Sequence, residues 1–100
     1  MSSVPDVLQA VPRIGAGFRL QWEDAQQAWV LLFPEGMVRL NGSAGEIMKR
    51  CDGERSVADM IDQLAAKYTA ERNAIATDVI AMLQDLADKG FLTDAHERTS

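Results

Sequence analysis

The stretch from Ala28 to Asn41, AWVLLFPEGMVRLN, constrains the fold more than any other part of the chain. Its first half, from Ala28 to Phe33, is apolar without interruption, which predicts a central strand covered on both faces. Pro34 ends that strand, because proline has no N–H to donate to a β-ladder. The turn PEG then leads into a second strand, from Met37 to Asn41, so the chain must double back as a hairpin.

A further strand precedes this hairpin. In FRLQWE, from Phe18 to Glu23, apolar and polar residues alternate, which is typical of a strand with one buried face. Its apolar positions are Phe18, Leu20 and Trp22. The polar run DAQQ joins it to the central strand, so the three strands form an antiparallel meander. Since the last strand pairs on one side only, we expect its other edge to be free.

Beyond Asn41 the apolar spacing changes from two residues to three or four, which predicts a helix. Either Asn41 or Ser43 can cap it, because both side chains carry an oxygen that accepts from free backbone N–H groups. We expect Asp52 and Gly53 to end it, since glycine readily takes the left-handed conformation found at helix ends. The apolar face of this helix consists of Ala44, Ile47, Met48 and Cys51.

Two longer helices follow. Ser56 and Asp59 resemble a capping box for the first of them, and the other runs from about Arg72 to Lys89 and is closed by Gly90. Two adjacent apolar stripes on this last helix span roughly 160° together, wider than the ~100° stripe of a core-facing helix. Such a width fits either packing between two neighbours or one stripe in the core beside an open groove. The stripes are Ile75, Val79, Met82 and Leu86, and Ala76, Ile80, Leu83 and Ala87.

The residues supply little chemistry. Cys51 is the only cysteine and His96, in the polar tail, the only histidine, so neither a disulfide nor a zinc site is expected. No carboxylate pair or phosphate-binding loop is evident, and we expect no catalytic residue, metal or cofactor.

No run approaches the roughly 18 apolar residues of a membrane span, and the N-terminus has no signal-peptide pattern. A cytoplasmic location is therefore expected.

The predicted fold class is α+β, with a three-stranded antiparallel sheet followed by three helices in a winged-helix-like arrangement. Residues 18–93 are expected to form a single domain. Residues 1–17, rich in proline and glycine and without a period, are expected to be a flexible N-terminal arm, and residues 94–100 a polar tail. Because winged helices often bind DNA, a nucleic-acid-binding domain is the alternative function. A net charge of −5 argues against both nucleic acids and anionic membranes as partners.

The free edge offers a different kind of site. An extended peptide could add a fourth strand along Met37–Leu40 and direct alternate side chains toward the last helix. Backbone hydrogen bonds of about 0.5–1.5 kcal/mol each and a few buried side chains would give an affinity near the micromolar range. Alternatively, the edge is simply short and protected by Pro34 and Arg39. A second copy could also pair there, giving a homodimer by strand exchange.

Several runs of this sequence resemble the coenzyme PQQ synthesis protein D (PqqD) family. The likeness covers about Val11 to Leu92, and its most specific part is LLFPEGMVRLN followed ten residues later by DG. The runs are PR at 12–13, RLQWED at 19–24, WVLLFPEGMVRLN at 29–41, CDGERSV at 51–57 and GFL at 90–92. The chain departs from the family pattern at NGSAGE, where a bulkier and more polar pair is expected after the asparagine.

The resemblance implies a peptide chaperone for pyrroloquinoline quinone biosynthesis. Such a protein binds the precursor peptide PqqA and presents it to the radical SAM enzyme PqqE, which joins a Glu and a Tyr side chain of the peptide. It would hold the peptide as an added strand on the third strand, against the third helix. Carried over to this chain, the edge is Met37, Val38, Arg39 and Leu40, and the apolar wall is Ala76, Val79, Ile80 and Leu83.

Overall fold

The computed structural model describes residues 4–94, with side chains described from residue 7 onward. The elements follow the order expected for an α+β chain, with an additional helix and strand at the N-terminus. The helices are α1 (Val4–Gln9), α2 (Gly42–Met48), α3 (Val57–Tyr68) and α4 (Arg72–Asp88), and the strands are β1 (Pro12–Ile14), β2 (Arg19–Glu23), β3 (Ala28–Phe33), β4 (Gly36–Arg39) and β5 (Leu92–Asp94). Within residues 4–94, no helix is long and apolar enough to cross a bilayer.

The predicted meander is confirmed. Strands β2, β3 and β4 form an antiparallel sheet with β3 in the centre. Leu31 pairs with Leu20 on one side and with Val38 on the other. The last strand ends at Arg39, two residues earlier than predicted, because Asn41 caps α2 instead of extending the strand.

The core lies between one face of this sheet and helices α2, α3 and α4. Its most deeply buried side chains come from the central strand and the helices. They include Leu31, Met48, Val57, Met60 and Ile61. On α4, Val79 and Leu86 are buried, while the other members of both predicted stripes except Ala87 are half-buried against this core. The wide apolar surface of α4 therefore contributes to packing, as one of the two readings predicted.

Capping side chains fix the helix starts. Asn41, rather than Ser43, caps α2, since its Oδ1 accepts from the Ala44 N–H at 2.7 Å. Ser56 caps α3 in the predicted way, with Oγ accepting from the Asp59 N–H at 3.1 Å. At the C-terminal end of α4, Gly90 has φ +84° and ends the helix as predicted.

The predicted end of α2 is wrong. The helix stops at Met48, and residues 49–51 turn away from it through tighter hydrogen bonds, such as that from the Cys51 N–H to the Met48 carbonyl. Asp52 instead organises the following loop, because its Oδ1 accepts from the N–H groups of Glu54 and Arg55, both at 3.0 Å. The side chain of Asp52 thus favours a local turn over a longer helix.

The N-terminal segment differs from the expected flexible arm over residues 1–17. Residues 4–9 are helical, and β1 pairs with β5 in a separate two-stranded antiparallel sheet, in which Arg13 faces Thr93. The backbone N–H of Val57 also donates to the Ala10 carbonyl at 2.9 Å. The packed fold therefore includes residues before the predicted boundary at 18, because their partners lie near the other end of the chain. The first three residues and most of the predicted polar tail, with His96, lie outside the described residues.

Candidate peptide-binding surface

Strand β4 is an edge strand within the described part of the chain. It pairs with β3 in the register Val38 to Leu31 and Arg39 to Val30, and no described strand pairs with its other side. The free edge expected from the sequence is thus present in the fold. An edge of this kind is where an extended peptide can add to a sheet.

The ladder hydrogen bonds define which backbone groups of β4 are available. The N–H of Leu40 donates to the Trp29 carbonyl at 2.9 Å. Because hydrogen-bonded and non-hydrogen-bonded pairs alternate along an antiparallel ladder, Val38 also directs its backbone groups inward, toward Leu31. The N–H and C=O groups of Met37 and Arg39 therefore point outward from the sheet. A guest strand would bond to these two residues.

The side chains of β4 alternate in the same way. Val38 is half-buried against the core, and Leu40, just after the strand, is buried. Met37 lies on the opposite face and is 51 % exposed. Of the four predicted edge residues, two therefore anchor the strand to the core, while Met37 and Arg39 present both their backbone and their side chains to solvent.

The four predicted wall residues of α4 have different surroundings. Val79 is only 3 % exposed and belongs to the core. It also lines a cavity of about 230 Å³ together with Ile47 of α2 and Leu64 of α3. Ala76 is half-buried and packs against the core.

Ile80 and Leu83 line a separate, largely apolar cavity of about 330 Å³. Its other walls come from α1, β1, α3 and β5, and include Val7, Val57 and Leu92. Of the four residues predicted to form one wall, Val79 thus lines one cavity, while Ile80 and Leu83 line another. The reason is that α1 and the β1–β5 sheet, which the sequence did not predict as packed elements, lie beside the second stripe.

The Cys51 thiol is buried, and its surroundings make it unreactive. Burial, and then the charge of Asp52, raise the pKa of the Cys51 thiol to about 12, and Sγ donates to the Ile47 carbonyl at 3.2 Å. Such a thiol is a poor nucleophile, because its thiolate form is scarce. The described residues contain no group of three or more His, Cys, Asp or Glu side chains placed to hold a metal ion.

Glu46 is the centre of the most extensive charge network among the described residues. Burial acts to raise the pKa of its carboxyl group, but hydrogen bonds from Arg50 and Lys67 and the charge of Lys49 outweigh it, so the pKa is lowered overall. The Arg50 Nη1 to Glu46 Oε1 distance is 2.7 Å, and Lys67 Nζ lies 3.3 Å from Oε2. The network joins α2 to α3.

The structure contains a cleft lined by two tryptophans that the sequence did not predict. Trp22, predicted to share the buried side of β2, is 43 % exposed. It lies with Trp29, Arg39 and Leu40 around a cavity of about 540 Å³ at one end of the sheet. The alternation in β2 correctly placed Trp22 on the core side of the sheet, but it could not show that the core ends before it.

Comparisons with known proteins identify relatives of this chain. The family model described as coenzyme PQQ synthesis protein D (PqqD) matches residues 28–92. A protein of Bradyrhizobium diazoefficiens named PqqA binding protein is 57 % identical over 82 residues, which are 82 % of this chain and 80 % of that protein.

Two solved structures are also similar. The solution structure of the PqqD portion of Methylobacterium extorquens PqqCD, described as a functional and stand-alone recognition element for ribosomally synthesised and post-translationally modified peptides, has a TM-score of 0.70 and 34 % identity. The match covers 83 % of this chain and 88 % of that one. The crystal structure of PqqD from Xanthomonas campestris has a TM-score of 0.52 and 41 % identity, covering 75 % and 83 % of the two chains. The chain therefore belongs to the coenzyme PQQ synthesis protein D (PqqD) family.

Proposed function

We propose that this protein is a non-enzymatic peptide chaperone that binds the precursor peptide PqqA and presents it to the radical SAM enzyme PqqE. The observation that carries the proposal is the outer edge of β4, with which no strand within residues 4–94 pairs and along which Met37 and Arg39 direct their backbone groups away from the sheet. Relatives named PqqA binding protein support the identity of the guest. Binding would take place in the cytoplasm, where a ribosomally made precursor meets its modifying enzyme.

In the bound state, PqqA adds a strand to β4 along Met37 to Leu40. Its backbone bonds to the outward groups of Met37 and Arg39, and its apolar side chains contact α4. The proposed wall remains Ala76, Val79, Ile80 and Leu83. Because Val79 is already part of the core, the half-buried members of this set have more surface left for a guest.

The experiment follows backbone amides of the ¹⁵N-labelled protein by NMR during titration with PqqA. Chemical-shift changes are expected at residues 37–40. Hydrogen exchange sharpens the test, because outward N–H groups gain a partner only when the guest is present. The amides of Met37 and Arg39 should exchange quickly in the free protein and slowly in the complex, whereas those of Val38 and Leu40 should be slow in both. Protection that appears elsewhere and spares β4 would refute the proposed site.

Presentation to PqqE needs a separate measurement. We expect PqqE to modify PqqA efficiently when this protein is present and poorly when it is absent. A variant that folds but does not bind PqqA should behave like the absent protein. Equal rates of modification with and without the protein would contradict the chaperone role while leaving peptide binding intact.

A further inference from the structure

The cleft at the end of the sheet is open, sizeable and not part of the β4 edge itself. Its volume is about 540 Å³, and its walls come from β2, β3, the end of β4 and the start of α2. The side chains of Trp22 and Trp29 provide its aromatic surface, and Arg39 and Leu40 connect it to the edge strand. An opening that shares residues with a binding edge can extend the contact a guest peptide makes.

Trp22 is held in place although it is 43 % exposed. Its ring packs edge-on against Trp29, with centroids 5.4 Å apart and planes at 68°, and its Nε1–H donates to Asp24 Oδ1 at 2.8 Å. Exposed aromatic surface that is already fixed in one orientation loses little entropy when a partner covers it. Tryptophans in this situation are frequent anchors of protein interfaces.

Trp29 is fixed in turn by α2 and β4. A Cβ at Gly45 would lie 2.7 Å from its Cδ1 atom, so only glycine leaves room for the ring at this point of α2. The carbonyl of Trp29 accepts from the Leu40 N–H. The hydrogen bond from the Leu40 N–H to the Trp29 carbonyl belongs to the β3–β4 ladder. It therefore also helps to fix the position of the aromatic pair.

Some of the polar groups that line the cleft are already engaged within the protein. Glu46 is its half-buried carboxylate, and it already pairs with Arg50 and Lys67. Trp22 Nε1 is occupied by Asp24. The uncommitted surface includes the exposed part of the Trp22 ring and the exposed side chain of Arg39. An aromatic or large aliphatic side chain can pack against the indole ring, and an aromatic ring can also face the guanidinium group.

We propose that this cleft binds an aromatic or large aliphatic side chain of the precursor peptide, from a residue that flanks the β4-paired segment on its Arg39 side. This inference rests on the proposed function, since it needs a guest strand on β4. Strands lie about 4.8 Å apart, so a guest on β4 would be three spacings, or roughly 14 Å, from β2. Extended chain covers about 3.3–3.6 Å per residue, which places the anchoring residue about four or five positions beyond the paired segment.

The test compares peptides and variants. Dissociation constants are measured for full-length PqqA and for a peptide cut back to the segment that pairs with β4. Trp22→Ala should weaken binding of full-length PqqA about 5- to 10-fold and leave the short peptide unchanged. Trp22→Phe should restore most of the loss, because an aromatic ring is retained. Arg19→Ala, on the same strand but the opposite face of the sheet, should bind both peptides like the wild type.

A second readout needs no substitution. In the wild-type protein, the indole N–H resonance of Trp22 should shift with full-length PqqA and not with the short peptide, and peptide side chains should give nuclear Overhauser effects to its ring. If β4 amides respond but Trp22 does not distinguish the two peptides, the cleft inference is overturned and the edge site stands. If β4 amides do not respond to either peptide, both the proposed function and this inference fail.

Discussion

Gly45 of α2 lies against the indole ring of Trp29 in β3, so closely that a Cβ atom on residue 45 would be 2.7 Å from Trp29 Cδ1. Real Cβ atoms almost never approach another heavy atom this closely. Glycine inside a helix ordinarily weakens it by about 0.5–1 kcal/mol relative to alanine. At this position the close packing of helix on sheet outweighs that cost, and it holds α2, the helix that follows β4 in the chain, against the central strand.

Gly45→Ala should therefore destabilise the protein, by about 1–3 kcal/mol, as expected for overpacking a filled site. Gly42→Ala is the matched control on the same helix. A Cβ at Gly42 meets nothing within 4 Å, so alanine there should be neutral or stabilising by up to about 1 kcal/mol. Urea unfolding of both variants gives the comparison. Equal stability of the two would show that the Trp29 ring moves aside without cost.

Proline substitutions distinguish the two sides of β4. Met37→Pro removes an outward N–H, which edge strands tolerate, so the protein should still fold. PqqA binding should weaken about 2- to 13-fold, which corresponds to the loss of one hydrogen bond of about 0.5–1.5 kcal/mol. Val38→Pro removes an inward donor to Leu31 and should cost about 1–3 kcal/mol of stability. Circular dichroism and peptide titration should be run on both. Unchanged PqqA affinity in a folded Met37→Pro protein would argue against strand addition at this edge.

Alanine substitutions of Val79 and Leu83 test separately how α4 packs in the core and how it contacts the peptide. Val79→Ala should lower stability by about 2 kcal/mol, because it deletes two buried methyl groups and leaves a cavity. Leu83 is half-buried, so Leu83→Ala should cost less stability. If the wall proposal holds, Leu83→Ala also weakens PqqA binding in a protein that remains folded. Should only stability change, Leu83 serves the contact with α1 and β5 alone.

The pKa of Glu46 predicts how stability depends on pH. Its carboxyl group binds a proton less readily in the folded protein than at the ordinary value of 4.5, so the unfolded chain takes up the proton first as the pH falls. The stability from this network is present above about pH 4.5 and is lost as the pH falls through the lower folded-state pKa. Glu46→Gln should reduce stability at pH 7 by on the order of 1 kcal/mol and have a flatter profile below pH 4.5.

Salt provides the control for that profile. Because mobile ions screen partly exposed charges, the difference between wild type and Glu46→Gln should shrink in 1 M NaCl. Urea midpoints measured between pH 3 and pH 7, at low and high salt, are sufficient. A variant whose profile parallels that of the wild type would show that another group dominates acid unfolding.

Cys51 should be unreactive in the folded protein. With a pKa raised to about 12 from 9.0, its thiolate fraction at pH 8 is about 1,000-fold lower than that of an unperturbed thiol. Labelling with a thiol reagent should therefore be at least that much slower in native buffer than in guanidinium chloride. Rapid labelling of the native protein would mean that the loop after α2 opens readily.

Local signals determined most of the central architecture. The uninterrupted apolar run from Ala28 to Phe33, ended by Pro34, predicted β3 and the hairpin to β4, because both depend on neighbouring residues. Ser56 and Gly90 predicted one start and one end of the helices for the same reason. The resemblance to the PqqD family was also carried by short runs along the sheet.

Other features depend on partners that are distant in sequence. The pairing of β1 with β5 joins residues about 80 positions apart, and no periodicity within a short window can indicate it. The same packing separates Ile80 and Leu83 from Val79, which the resemblance to the PqqD family had placed on one wall. The exposure of Trp22 likewise depends on where the core ends, not on the alternation within β2.

The sequence by itself determined the strands, the helices and the free edge of the sheet, because hydrophobic periodicity, capping side chains and proline act within a few residues. Only the tertiary structure decided which backbone groups of β4 face outward, how α4 divides its apolar surface, and that two tryptophans form an open cleft beside the edge. These properties follow from register and packing between distant segments, and close packing admits one arrangement of those segments where local pattern admits several.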